Sequence, residues 1–310
     1  MPPAPMPILP EPRPAPNEVE LTSLDLRYEG CRMRAAALEE RLLGAIAERG
    51  IEEPLEGVEE GERHVLLNGF KRYRCARKLR LGAVPYASLG RDEVTGIVAL
   101  LRTSNDRSLS ILEQAAFIDE LKSARGQTVA QIAAELSRSK AWVGMRLGLF
   151  SEMSAAVRGK LFAGAFPVYA YMYTLRPFMR MDAKAVEEFV LAVSGQGLSV
   201  REIEVLGRGF FHGGEALRAE IVRGNLALPL ARMQEADAGA DGCSEFERGM
   251  LRDLEVANKA MLRVRSKSGD PRLASGPFHA QAHLLTEGIL SRADGFLAAV
   301  RRLHDRGRPA

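Results

Sequence analysis

The chain has 310 residues, 46% of them hydrophobic and 27% charged, enough apolar material for two or three compact units of roughly 100–200 residues. Its 43 basic residues stand against 40 acidic ones, a net charge of +3, which excludes a uniformly cationic protein and confines any polyanion-binding surface to a local patch. No apolar run approaches the roughly 20 residues needed to span a bilayer, so no membrane partner is expected. Cys31, Cys75 and Cys243 are far apart, odd in number and without zinc spacing, which points to free thiols in a reducing, cytoplasmic setting.

The first sixteen residues hold eight prolines and lack the basic start and apolar stretch of a secretory signal. They read as an extended tail, with the boundary drawn at residue 20. Leu38, Leu42, Leu43 and Ile46 then recur at helical spacing until Gly50 stops the run. Pro54 to Val58 and His64 to Asn68 read as two small strands around a polar turn. Phe70 to Leu81 reads as a helix and Val84 to Leu89 as a strand. Ile97 to Leu101 suits either a helix or a buried strand, and Leu109 to Leu121 is helical. The periodicity stays helical through Met153–Leu161, Val168–Leu175, Ala183–Val193 and Val200–Leu206. Glu235 to Gly242 is the boundary before a last helical segment, Glu245 to about Leu303, which shows no sustained heptads. The fold class expected is an α+β N-terminal domain over residues 21–108, an all-α domain over 109–225 and a helical C-terminal region over 226–310.

The clearest motif is a helix-turn-helix from Thr128 to about Phe150. Thr128 and Gln131 form a capping box, and Val129, Ile132, Ala133 and Leu136 make the inward stripe of the first helix. Ser137, Arg138 and Ser139 supply the turn, with a serine to cap the second helix. Val143, Leu147 and Phe150 face inward there. Lys140, Ala141, Met145 and Arg146 are thereby expected outward, towards the space a major groove would occupy, with Trp142 near the edge. Ser137, Arg138, Ser139 and Lys140 stand near the N-terminus of the second helix, suited to phosphate contacts, and Thr128 is counted with the DNA-binding residues.

A second signal lies upstream. Between Gly61 and Arg80 there are seven basic residues, Arg63, Lys71, Arg72, Arg74, Arg77, Lys78 and Arg80, against the single acid Glu62. A strand that ends in Asn68-Gly69 and opens into a cationic helix offers an anion site, because glycine allows close approach and the helix N-terminus adds positive potential.

Gly50-Ile-Glu-Glu-Pro54, the run LLNGFKRYRCA from Leu66 to Ala76, SNDR from Ser104 to Arg107 and the helix-turn-helix follow one another in an order that resembles the ParB/RepB partition proteins. The resemblance covers about residues 24–175. It implies a dimer that binds double-stranded DNA through the helix-turn-helix, with CTP in the N-terminal domain as a switch. Gly69, Lys71, Arg72 and Arg74 would then hold the phosphates, and Gly50 and Pro54 would shape the pocket. Asn105 and Arg107 would serve the triphosphate, with Asn105 and Asp106 at its magnesium ion. Two departures bear on chemistry: Phe70 replaces the acid of the family's Gly-Glu-Arg-Arg motif, and Ser104 replaces the glutamate of Glu-Asn-x-x-Arg. The first speaks against CTP hydrolysis; the second, with only Asp106 between Asn105 and Arg107, speaks against magnesium coordination unless Asp106 substitutes.

The implied task is segregation or maintenance of a chromosome, plasmid or mobile element in the nucleoid, beside a partition ATPase or a mobile-element protein. A nucleotide-independent transcriptional regulator on the same scaffold stays open. So does a nuclease or phosphoryl-transfer enzyme, which would need a carboxylate or nucleophile beside the anion site.

Overall fold

The computed structural model describes residues 17–61, 63–104, 109–179, 181–240 and 242–307. Those up to Ala238 form one compact unit, and those from Gly239 onward form a second.

The first unit opens on an α+β region. Helix α1 (Ala36–Arg49) is followed by strands β3 (Leu55–Glu60) and β4 (Arg63–Asn68), helix α2 (Phe70–Lys78), strand β5 (Ala83–Ser88) and helix α3 (Glu93–Thr103). Two further strands precede α1: β1 (Asn17–Glu20) and β2 (Leu24–Asp25). Residues 17–20, expected in the tail, thus pair antiparallel with β5 and place Val19 opposite Val84. The sheet order is β1-β5-β3-β4-β2, with β3 antiparallel to β4 and parallel to β5. Val65, Leu66 and Leu67 are consecutive and fully buried, so β4 is covered on both faces. One cover is α3, where a Cβ on Gly96 would lie 2.1 Å from Val58 Cγ1, so only glycine lets the helix approach the sheet this closely. The ambiguous Ile97–Leu101 segment is therefore helical, capped at its start by Asp92, whose side chain accepts from Thr95 N–H.

Everything later is helical. Helix α4 (Ile111–Ser123) precedes α5 (Val129–Glu135) and α6 (Lys140–Glu152), the expected helix-turn-helix pair. Then come α7 (Ala155–Phe162), α8 (Val168–Ala170), a π turn at Tyr171–Leu175, α9 (Arg176–Met179), α10 (Ala183–Val193), α11 (Val200–His212), α12 (Glu215–Val222) and α13 (Ala227–Ala240). Capping boxes at Ser110/Glu113, Thr128/Gln131 and Ser199/Glu202 set the starts of α4, α5 and α11.

Two cores fill this unit, and α4 belongs to both. Its Phe117, Ile118 and Leu121 join the sheet core together with Ile132, Leu136, Val143 and Leu147 of the helix-turn-helix. Its Leu112 and Ala116 join a helical core with Leu149, Val157, Leu161, Tyr171, Phe189 and Leu206. Leu149 thus takes the deep position expected of Phe150, which is half-buried. The helix-turn-helix shares its core with the α+β region.

The second unit contains α14 (Glu245–Lys267) and α15 (Gly276–Arg306), capped by Ser244 and Ser275. Neither helix has a buried residue.

Candidate anion pocket and nucleic-acid interface

The junction of β4 and α2 is a backbone solution to a steep turn. Gly69 has φ 97°, a left-handed value that suits glycine, and its Cβ position is only 3.0 Å from Leu55 Cγ. Asn68 fixes the turn from both ends. Its amide donates to Glu56 Oε2 at 2.6 Å, and its oxygen accepts from Gly69 N–H at 2.9 Å. Above this turn lies a cavity of about 220 Å³ lined by Arg32, Met33, Leu42, Glu53, Arg72, Arg74 and the stretch from Asn68 to Lys71.

The cations around the cavity differ in what already holds them. Arg72 donates to the carbonyls of Glu53 and Pro54, each at 2.6 Å, and so shapes the segment after Gly50 that the sequence assigned to pocket walls. Arg74 is turned towards α1, where Glu39 grips it through two bonds and Glu29 accepts at 2.9 Å. It thus clamps α2 to α1 while still lining the cavity where it was expected as a phosphate ligand. The physical reason is its place on α2, on the buried flank beside Tyr73, Cys75 and Ala76. Lys71 is half-exposed at the cavity rim and makes no ion pair among the described residues.

Arg32 was not foreseen. It precedes α1, is nearly buried and pairs with Glu113 of α4 at 3.1 Å. Burial, reinforced by Arg72, pushes its pKa below the ordinary arginine value against the pull of Glu113. Burial does the same to Arg72. Arginines stay charged even so, and an anion in the cavity would relieve the cost of desolvating them. The segment carrying Arg32 showed no periodicity, so no pattern marked it. Its partner was readable, since Ser110-x-x-Glu113 is a capping-box signature.

Phe70 is 2% exposed and lies in the sheet core, so the position where the family motif has an acid points a phenyl ring inward. Ser104 caps α3, with its hydroxyl donating to Leu101 O at 3.0 Å. Asn105, Asp106 and Arg107 lie outside the described residues. Among the described residues no cluster of three His, Cys, Asp or Glu side chains is arranged to hold a metal ion.

The helix-turn-helix turn is a Schellman motif. Ser137 is left-handed at φ 53°, its N–H bonds Ala134 O, and Arg138 N–H bonds Ala133 O at 2.9 Å. Ser139 caps α6 by accepting from Trp142 N–H at 3.1 Å. Thr128, Arg138, Ser139, Lys140, Ala141 and Met145 are all exposed, as expected. The Thr128 hydroxyl is occupied in its own capping box, donating to Gln131 Oε1 at 2.8 Å.

Arg146 is the exception. It is 8% exposed, donates from Nε to Gln114 Oε1 at 2.8 Å and lies over the Trp142 ring at 3.4 Å. Its outward assignment is corrected: three residues after Val143 and one before Leu147, it flanks the inward stripe and is drawn into the α4 contact. Trp142 also takes Arg138 against its ring at 5.4 Å, so the indole is a packing platform for two cations.

These features define a protein with an arginine-lined cavity in an α+β region and a helix-turn-helix seated on the same core. Residues 124–211, which include α5 and α6, match the KorB domain. A search of curated proteins finds no match. Among solved structures, the C-terminally truncated chromosome-partitioning protein ParB from Caulobacter crescentus, complexed to the centromeric parS site, is 20% identical, covering 62% of this chain and 98% of that one at TM-score 0.29. The same protein complexed with CTP-gamma-S is 18% identical, covering 61% and 98% at TM-score 0.26. A Pnob8-like ParB-N domain is 12% identical, covering 67% and 97% at TM-score 0.36. No helix among the described residues is long and apolar enough to cross a membrane.

Proposed function

We propose that this chain is a dimeric, sequence-specific DNA-binding protein of the ParB/RepB type, gated by CTP, that serves segregation or maintenance of a chromosome, plasmid or mobile element. One observation carries the reading: the exposed face of α6, with Lys140, Ala141 and Met145, stands on a helix whose buried face shares a core with the arginine-lined domain. Lys140 and the N-terminus of α6 supply backbone-phosphate contacts, and Ala141 and Met145 are short or flexible enough to meet base edges. Mobility-shift selection from fragmented host DNA at moderate salt is expected to enrich one sequence. Recovery of bulk DNA alone would refute specific binding.

In this reading CTP occupies the cavity over Gly69, with Lys71 and the α2 N-terminus at its phosphates and Arg32 and Arg72 at its wall. Magnesium would accompany it through Asn105 and Asp106. Phe70 leaves no carboxylate at the motif position to activate water, so in this reading the nucleotide acts chiefly as a ligand and any CTPase activity is weak. A second reading, a regulator that uses no nucleotide, is favoured by the engagement of Arg72 and Arg74 with protein groups. Titration calorimetry separates the two. Binding of CTP supports the gated reading, and retained DNA binding with no heat from CTP supports the other.

Dimerisation is assigned to the second unit. Phe278, Leu285, Ile289, Phe296 and Leu303 recur at helical spacing on α15, all exposed, and an apolar face of this kind is stable only when covered. In this reading a second copy of the chain covers it. Sedimentation of the intact protein is expected to give a dimer, and a monomer at micromolar concentration would refute the assignment.

A further inference from the structure

Two consecutive side chains in the first turn of α4 reach in different directions. Glu113, 7% exposed, accepts with Oε2 from Ser110 N–H at 2.8 Å, completing the capping box. Its Oε1 accepts from Met33 N–H at 3.0 Å and from Arg32 Nε at 3.1 Å. Arg32 and Met33 are walls of the cavity. Gln114, 6% exposed, donates to Leu109 O at 3.0 Å and accepts from Arg146 of α6 at 2.8 Å.

We infer that Glu113 and Gln114 are positioning residues that couple an anion in the cavity to the pose of the recognition helix α6. The inference rests on the proposed function and names the route by which that gating works. The chemistry is competition for one cation. An anionic ligand beside Arg32 offers it a second negative partner, which weakens the Arg32–Glu113 pair and with it the cap that fixes the first turn of α4. Gln114 moves with that turn, because the two residues are neighbours on one backbone. Its bond to Arg146 then carries the change to α6, where Arg146 lies against Trp142 and Trp142 N–H is held by the Ser139 cap. The contacts of Glu113 with Arg32 and Ser110 and of Gln114 with Arg146 are buried or half-buried, where loss of a partner is costly, while the Ser139–Trp142 cap lies at the exposed end of the route. The ligand acts only through its different affinity for the two arrangements.

The test measures coupling rather than affinity. Fluorescence anisotropy of the DNA fragment enriched by selection is recorded with and without CTP for wild type, Glu113→Gln, Gln114→Met and the double variant. Wild type is expected to change its DNA affinity at least roughly fivefold with CTP. Both single variants are expected to fold, by thermal melting, and to bind DNA within about twofold of wild type without CTP, while the CTP effect shrinks to within about twofold of none. The double variant is expected to lose no more coupling than either single one, as for members of one route. Full coupling in both single variants would overturn the inference while leaving the gated reading intact. CTP and DNA bound by wild type without mutual effect would also overturn it. Absence of CTP binding to wild type would instead refute the gated reading and the inference with it.

Discussion

The Nε of Arg146 donates to Oε1 of Gln114 at 2.8 Å, so α6 is bonded through this cation to α4. Arg146→Ala removes a charge-assisted bond, leaves a buried glutamine acceptor unanswered and strips one face of Trp142. It is expected to lower stability by about 1–3 kcal/mol, read by urea unfolding. The salt dependence of DNA binding should keep its slope. A variant of unchanged stability with a shallower salt slope would return Arg146 to the interface.

Lys140 is exposed at the first position of α6 and behaves oppositely. Lys140→Ala is expected to leave the urea midpoint unchanged. It should reduce the slope of log K against log salt by about 0.9 for one lost phosphate contact. Equal slopes for the two proteins would show that Lys140 meets no phosphate.

The Arg74 clamp makes part of the stability pH-dependent. The Arg74 hydrogen bonds hold Glu39 below its usual carboxylate range, against the opposing effect of burial. A carboxylate depressed in the folded state contributes stability that is complete above its unfolded pKa and is lost as pH falls through the folded one. Glu39→Gln is therefore expected to be less stable than wild type at pH 7, with a gap that stays constant down to about pH 5, near the unfolded glutamate value. The gap should then close as the pH falls further. A gap that widens on acidification would contradict the pairing.

Burial pushes the Cys31 thiol up to about 11 and raises Cys75 as well. Both are expected to react with iodoacetamide at pH 8 more slowly than an unperturbed thiol, because the thiolate is the nucleophile. Mass mapping of timed labelling reads this directly, and modification of Cys31 at the rate of free cysteine would contradict its desolvation.

Much of the fold was legible because the periods were long enough. α10 was delimited residue for residue by its apolar spacing, and β3, β4, α2 and β5 were marked by alternation and by Gly69. β1 and β2 were not, since four and two residues show no period and are held by pairing with distant strands. Of the residues expected around an anion, Gly69, Lys71, Arg72 and Arg74 line one cavity, and Arg32 joins them there. Arg74 is spaced like a phosphate ligand, yet Glu39, 35 positions earlier, takes it, and no local pattern reveals a partner so far away. Arg146 failed for the same reason. Its angle on α6 is intermediate, and Gln114 on α4 decided which way it turned. Capping residues were the most dependable signals, because Thr128 and Ser139 act on their own next turn.

The most direct measurement places a benzophenone photo-crosslinking side chain at Ala141, on the exposed face of α6, and irradiates the complex with the selected DNA. A covalent protein–DNA adduct is expected at that position and none from the same group placed at Glu188 on α10, remote in sequence from the helix-turn-helix. A protein that still shifts the DNA yet gives no adduct at Ala141 would contradict the claim that α6 reads the groove.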